Sequence, residues 1–380
     1  MPRVLHIFCG PFPTHQGTQV LVDQTCRLST ELGFETVLLT YAHGQQNNND
    51  VPFTVKRVAD FPRFRSYKSG PAKEKFILDL SIVFKIKKEI KKFNPHVLHA
   101  HHYEALVAAR LADPLKKRAL IFHQHALFEP ELYTYAPKYL ASVLKTAGRS
   151  ADRWLPRLAD TIITVSRTNK KLMEKQTGQK IENLYPYASL DRDLSLKSEN
   201  ENREVIALYT GNLDKYQGID NLITALKRLD IKNSKNFKVI INTGSDFKAL
   251  QNTLSSELSD LVNFVPFKNY SHTFNLMQRS DFSIIPRSLY GGIPVKLINS
   301  LSAGLPVIGD NRLMDGLNFD HGVYSVNTDS PNEFASAIKR LIVDFKLRKK
   351  LSCNTLNGAD IFSKSRALSK LSDIYTDILG

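Results

Sequence analysis

Only three cysteines occur in 380 residues, Cys9, Cys26 and Cys353. Odd in number and widely spaced, they exclude a disulfide framework and a cysteine-based metal site, and fit reduced thiols in the cytosol. Long apolar runs are missing as well. None approaches the roughly 18 residues that a membrane-spanning helix needs. The chain opens directly into Val4-Leu5-His6-Ile7-Phe8-Cys9, a stretch too short for the apolar core of a secretory signal and without its basic flank. A cytoplasmic protein is expected. No repeat of solenoid length is visible, and the one low-complexity tract, residues 45–50 (QQNNND), reads as a loop.

An apolar share of 42% and a charged share of 23% are those of a globular protein, and the length suits two domains. The net charge of +15 is unevenly placed. Residues 1–190 hold 28 Lys and Arg against 16 Asp and Glu, whereas residues 191–380 hold 24 against 21. The excess peaks between Lys56 and Lys92, with 12 basic and 4 acidic residues, and points to an acidic surface as partner of the first half. Within it, residues 85–93 read as an amphipathic helix, for which a solvated charged face is explanation enough. The loop at 61–68 (FPRFRSYK) is different: Phe and Arg together suit an anionic membrane surface, at about 1 kcal/mol per basic residue. No nucleic-acid recognition module is present, so nucleic acid is not an expected partner.

Short apolar runs alternate with helical stretches throughout, the pattern of parallel sheets covered on both faces. Strands are predicted at 4–9, 35–40, 53–58, 96–100, 119–123, 161–165 and 181–185. After a polar linker at 191–203 (DRDLSLKSENENR) they resume at 205–209, 237–242, 261–265, 282–286, 306–309 and 323–326. Helices are predicted near 18–32, 75–93, 103–112, 130–158 and 167–177, then 218–229, 246–257, 271–279, 294–303, 331–343 and 364–379. The expected fold is α/β, with two Rossmann-like doubly wound domains facing across a cleft. They span 1–190 and 204–362, followed by a C-terminal helix at 363–380.

The most informative stretch runs from Gly291 to Ile308. Gly291 and Gly292 precede a helix opened by Pro294, whose missing N–H costs nothing in a first turn. Gly304 suits a left-handed cap at the far end. Paired glycines before a helix N-terminus let backbone approach a ligand, and the free amides favour an anion.

This stretch (GGIPVKLINSLSAGLPVI) resembles the donor-site segment of family-4 retaining glycosyltransferases, usually a glycine turn, P-x-K-L, then A-x-G-x-P-V. Three further segments are similar in order and spacing: residues 10–18 (GPFPTHQGT), 159–166 (ADTIITVS) and 209–220 (YTGNLDKYQGID). The resemblance covers nearly the whole chain and implies two facing Rossmann domains, the GT-B architecture, with the C-terminal helix at 363–380 crossing back to the first domain. It also implies a nucleotide-sugar donor, UDP- or GDP-linked, held mainly by the second domain. Two departures stand out. The family often carries two glutamates eight residues apart, where this chain has Gly291 and Asn299. It commonly places an arginine and a lysine against the diphosphate, where this chain has Asn212 and Gln217. These changes read as a rewired donor site.

A helix N-terminus gives an anion only about 0.3–1 kcal/mol, so a departing diphosphate needs a cation. Lys296 is the first candidate and Arg287 the second. Asn299, three residues beyond Lys296 and near its face, can reach a ribose hydroxyl. The resemblance implies that Gly211, Gly218 and Gly292 are turn glycines of the donor site and that Gly17 leaves room for substrate; ordinary turns of an α/β domain are the alternative for Gly17, Gly211 and Gly218. His99, His101, His102, His123 and His125 end two consecutive strands. Strand periodicity alone places His123 and His125 on one face, and no carboxylates complete a metal site, so none is expected. The family's sugar-contacting histidine corresponds to His123 or His125, and His125 is favoured. Glu129 and Glu131 are candidates for the acceptor pocket.

The reading is a cytoplasmic, membrane-peripheral, retaining hexosyltransferase without an obligatory metal. Its acceptor is a lipid or lipid-linked glycan, and its catalytic candidates are His125 and Lys296. A nucleotide-sugar epimerase and a non-catalytic nucleotide-sugar- or membrane-binding protein are the alternatives.

Overall fold

The computed structural model describes residues 1–14, 17–42, 44, 51–60, 75–134, 138–188, 204–229, 236–287 and 292–380. The chain divides into two units, Met1–Tyr187 with Lys364–Gly380, and Ala188–Ser363. The predicted linker at 191–203 and the loop at 61–68 lie outside the described residues, as does Gly291.

The first unit holds strands β1 (Arg3–Phe8), β2 (Glu35–Thr40), β3 (Thr54–Arg57), β4 (Val97–His101), β5 (Ala119–Gln124), β6 (Thr161–Thr164) and β7 (Ile181–Asn183). They form one sheet in the order β3-β2-β1-β4-β5-β6-β7, every pair parallel. Val4, Leu5, Ile7, Val97, Leu98, Ala100, Ile121 and Phe122 are fully buried. Helices cover both faces, which is why these strands carry continuous apolar runs where a one-sided sheet would alternate. The C-terminal helix Lys364–Leu379 packs Ala367, Leu371, Ile374 and Tyr375 against Val4, Ile121, Ile163 and Leu184 of this sheet.

The second unit repeats the arrangement with β8 (Val205–Thr210), β9 (Phe237–Thr243), β10 (Val262–Pro266), β11 (Phe282–Ile285), β12 (Val307–Asp310) and β13 (Val323–Val326). The order is β10-β9-β8-β11-β12-β13, again all parallel. Chain direction across the sheet reverses between β8 and β11. The crevice beyond the carboxyl ends of such a pair is where doubly wound sheets bind ligands.

Besides the stretch predicted near 246–257, which forms two short helices, Lys248–Asn252 and Ser256–Leu261, two helical regions differ from expectation. The helix predicted over 130–158 is broken into Phe128–Thr134, a 3-10 turn at Lys138–Leu140, Ala141–Trp154 and a second 3-10 turn at Leu155–Leu158. Asp152 explains the break. Its buried carboxylate accepts from the backbone N–H groups of Phe128 (2.8 Å) and Glu129 (2.9 Å), so the second helix caps the start of the first. Gly148 lets the two helices close, since a Cβ there would stand 2.5 Å from Glu129 Cα. The other difference is an additional helix, Phe345–Ile361, opened by Asp344 accepting from Leu347 N at 2.8 Å. Its buried stripe is Arg348, Leu351, Thr355, Gly358 and Ala359. The spacing is helical, but so few of these residues are large and apolar that the pattern does not show in the sequence.

Candidate active site

The carboxyl ends of β8 and β11 gather most of the predicted donor-site residues of the second unit. β8 is followed directly by Gly211, whose φ of +131° is open to glycine and strained for other residues. A Cβ at Gly211 would lie 2.8 Å from Lys296 Nζ. The bare backbone therefore gives the lysine its place. Lys296 sits in the first turn of the helix Val295–Ser302, with Pro294 as its N-cap rather than its first residue. Gly304 adopts φ +69° after the helix, and Leu305 N–H donates back to Ser300 O at 2.9 Å, closing the left-handed cap.

A chain of hydrogen bonds links the two segments. Lys296 Nζ donates to Gln217 Oε1 at 2.9 Å, and Gln217 Nε2 donates to Asn212 Oδ1 at 2.9 Å. Asn212 Nδ2 in turn donates to Asp214 Oδ2 at 2.9 Å. The Lys296 ammonium lies 4.3 Å from the centre of the Tyr209 ring, and the Arg287 guanidinium lies 5.2 Å from that of Tyr216. Thus Gln217, itself bonded to Asn212, holds a lysine arriving from 79 residues further along the chain.

The electrostatics of this lysine are unusual. Burial, and then the nearby positive charge of Arg287, push its pKa from the ordinary 10.5 down to about 7. Among the described residues no carboxylate pairs with it. An amide oxygen and an aromatic face are weak compensation for a partly desolvated ammonium. An arriving anion would supply what is missing. Gly218 holds the frame together: with φ +73°, it lies so close to β11 that a Cβ would be 2.4 Å from Pro286 O.

The remaining predicted residues are placed less tightly. Gly292 stands just ahead of Pro294 and is half-buried. Asn299 is half-buried on the helix carrying Lys296, and among the described residues no side-chain hydrogen bond reaches it. Gly17 and His125 belong to the first unit, Gly17 as the first residue of the helix Gly17–Glu31 and His125 just after β5. His125 is buried, and its Nε2 lies 3.1 Å from His101 Nδ1. Burial holds its pKa well below 6.5, and neighbouring His123 and His102 add to the effect. Glu129 is buried and paired with Arg149 at 3.1 Å; nothing is described of the Glu131 side chain. Tyr209 and Tyr216, which wall in the two cations, went unnoticed in the sequence. The signal available was their place beside Gly211 and Gln217 in the segment opening the second domain.

Residues 15–192 match the model of Glycosyltransferase Family 4, and residues 191–357 match that of Glycosyl transferases group 1. The chain belongs to the group 1 and family 4 glycosyltransferases. It is 23% identical over 246 residues to an uncharacterised glycosyltransferase of Methanocaldococcus jannaschii, a match covering 63% of this chain and 66% of that one, just short of two thirds of its length. Among solved structures, sucrose-phosphate synthase of Thermosynechococcus elongatus superposes with a TM-score of 0.82 at 14% identity, covering 99% of both chains. Anabaena HepE in complex with UDP and glucose gives 0.73 at 14% identity, covering 99% of this chain and all of the other. At such identities the likeness is one of fold, and that fold is GT-B. For this glycosyltransferase the GT-B expectation therefore holds.

Proposed function

We propose that this chain is a retaining hexosyltransferase that moves a hexose from a UDP- or GDP-linked sugar to a hydroxyl of a lipid or lipid-linked glycan. The observation that carries the reading is Lys296, an ammonium without an acid partner among the described residues, beside Arg287 at the switch point of the second sheet. As the glycosidic bond breaks, negative charge grows on the leaving diphosphate, and Lys296 and Arg287 stabilise it. The acceptor hydroxyl attacks from the face that the diphosphate leaves, and a leaving phosphate oxygen takes its proton. The protein then positions and stabilises, and no side-chain base is required. His125 contacts the sugar, Asn299 a ribose hydroxyl, the backbone at Gly211, Gly218 and Gly292 gives the nucleotide room, and Gly17 leaves room for substrate. No metal is assigned a role. That a relative of the same fold was solved with UDP and glucose supports a UDP-sugar donor.

Titration calorimetry with UDP and GDP, followed by a nucleotide-sugar and acceptor panel, tests the proposal. One of the two nucleotides is expected to bind, and its sugar to be consumed when a lipid acceptor is present. Binding of neither overturns the donor site. Binding without sugar consumption across the panel favours the non-catalytic alternative, and sugar isomerised without acceptor favours the epimerase.

Peripheral membrane attachment draws support from the first unit. On the helix Lys75–Lys92, Leu80 and Phe84 are exposed and continue along one face into Lys87 and Lys91. Tyr139, Val143 and Trp154 are also exposed, and Arg153 and Arg157 lie 5.5 and 4.4 Å from the Trp154 ring. Apolar side chains set among cations suit the headgroup boundary of anionic lipid. Among the described residues, no helix is long and apolar enough to cross a membrane. The full chain is expected to float with phosphatidylglycerol-containing liposomes at low salt and to lose that in the Phe84→Ser, Trp154→Ser double variant. Failure of the unmodified chain to float removes the membrane from the proposal.

A further inference from the structure

Five histidines, one serine and one tyrosine form an unbroken hydrogen-bonded file through the core of the first unit. Strand register aligns them: His6 pairs with His99 across β1 and β4, and His101 with His123 across β4 and β5. All seven side chains are buried. From Ser29 Oγ one arm runs to His6 Nε2 (3.0 Å), then from His6 Nδ1 to His101 Nε2 (3.0 Å), then from His101 Nδ1 to His125 Nε2 (3.1 Å). The other arm runs from Ser29 Oγ to Tyr375 Oη (2.9 Å), on to His99 Nδ1 (3.0 Å), and from His99 Nε2 to His123 Nδ1 (3.3 Å). Both arms end on buried nitrogens, His125 Nδ1 and His123 Nε2, that lack a partner among the described residues.

Counting protons gives the file a direction. Ser29 has a single hydroxyl proton, and its Oγ is placed to donate to Thr25 O at 2.9 Å. It must then accept from both His6 Nε2–H and Tyr375 Oη–H. Each later link follows, because a neutral imidazole has one donor nitrogen and one acceptor nitrogen. Reversing either arm forfeits the bond to Thr25 and leaves a buried N–H with no acceptor at the arm's end, the rarer kind of defect in folded proteins. Burial keeps all five imidazoles neutral, their pKa values lying below 6.5 and that of His6 at about 3.

We infer that Ser29 sets the polarity of this file, so that His125 carries its proton on Nε2, His123 carries its proton on Nδ1, and each offers a bare nitrogen that takes only a hydrogen-bond donor. The inference rests on the proposed sugar contact of His125 and narrows it. The ligand group met there is a hydroxyl, and a carboxylate or phosphate is rejected because lone pair would face lone pair. Ser29, His6 and His101 are positioning residues that act through His125; Tyr375 and His99 act through His123. Two triads, His6 with His99 and His101, and His101 with His123 and His125, have nitrogens within 4.8 Å of one another, as a metal would need. A divalent ion there would have to displace the shared protons and bury its charge with no carboxylate in the file to balance it.

The test is 15N NMR of the imidazoles in the full chain labelled at histidine, without substrate. His6, His101 and His125 are expected as Nε2–H tautomers and His99 and His123 as Nδ1–H, none titrating near neutral pH. Tyr375→Phe is expected to disorder the tautomers of His99 and His123 and leave His125 unchanged; Ser29→Ala is expected to turn both arms into mixtures. An Nδ1–H signal from His125 in the unmodified chain overturns the inference, as does a single unchanged His125 tautomer in Ser29→Ala. Stoichiometric zinc retained through dialysis, with loss of these N–H signals, overturns it in favour of a metal. If His125→Ala leaves donor use unchanged while the tautomers are as assigned, the sugar contact is overturned and the polarity of the file stands.

Discussion

Replacing Lys296 with methionine is expected to weaken UDP or GDP binding by roughly 10- to 100-fold at pH 6, the loss of one charge-assisted hydrogen bond to phosphate. The same replacement is expected to raise the melting temperature of the unliganded protein at that pH. The signs differ because the ammonium is useful only when an anion is present. With a folded pKa of about 7 against an ordinary 10.5, the unfolded chain holds this proton more tightly than the folded one. The cost to folding is fully present below about pH 7 and is relieved as pH rises toward 10.5, so unliganded stability should climb over that interval and the methionine variant should not show the climb. Nucleotide affinity should run the other way, falling as pH rises through about 7, because the diphosphate needs the charged form. Calorimetric titration at pH 6 and pH 8.5, paired with thermal melts, reads both effects. A methionine variant that binds nucleotide as tightly as the parent would take Lys296 out of the site.

Gly218→Ala is expected to destabilise the second unit by about 2–4 kcal/mol in urea denaturation. A non-glycine residue in a left-handed conformation costs on the order of 1–3 kcal/mol, and here a Cβ would also lie 2.4 Å from Pro286 O and 2.9 Å from Pro286 C. Backbone cannot yield as the end of a flexible side chain can. Gly316 provides the control: its φ is +88°, but a Cβ there would meet nothing within 4 Å. Gly316→Ala should therefore show the conformational cost alone, about 1 kcal/mol. Because Gly218 sets the spacing between the segments that carry Gln217 and Arg287, its alanine variant should lose nucleotide affinity as well, whereas the Gly316 variant should keep it. Equal destabilisation by the two substitutions would show that the close approach to Pro286 contributes nothing.

The candidate site was only partly legible in the sequence. Lys296 and Arg287 could be chosen from the charge that a diphosphate requires, and Gly211 and Gly218 from the resemblance of residues 209–220 to the family's segment. The amides Asn212 and Gln217 read as a rewired donor site, without a partner that the sequence could name. Their role is visible only once β8 and β11 are neighbours, because Gln217 then accepts from Lys296 and passes the contact on to Asn212. The histidines followed a similar course. His99, His101, His123 and His125 fall at strand ends in the sequence, but His6 joins them only because β1 lies beside β4, and Ser29 and Tyr375 complete the file from helices 346 residues apart.

What the sequence determined by itself was local and repetitive. Apolar runs of strand length mark the central strands, β1, β4, β5, β8 and β11 among them, whose two buried faces show within a few residues. Gly304 takes the left-handed cap that its place after a helix predicts. The tertiary structure decided what depends on distant neighbours. It divided the stretch predicted as one helix into Phe128–Thr134 and Ala141–Trp154, with Asp152 of the second capping the first, and it formed the helix Phe345–Ile361 on a stripe in which Leu351 is the one large apolar residue among arginine, threonine, glycine and alanine. It also set the ionisation of Lys296 and the polarity of the histidine file. Propensity and periodicity act over one or two turns, whereas desolvation and hydrogen-bond direction depend on groups that only the strand order brings together.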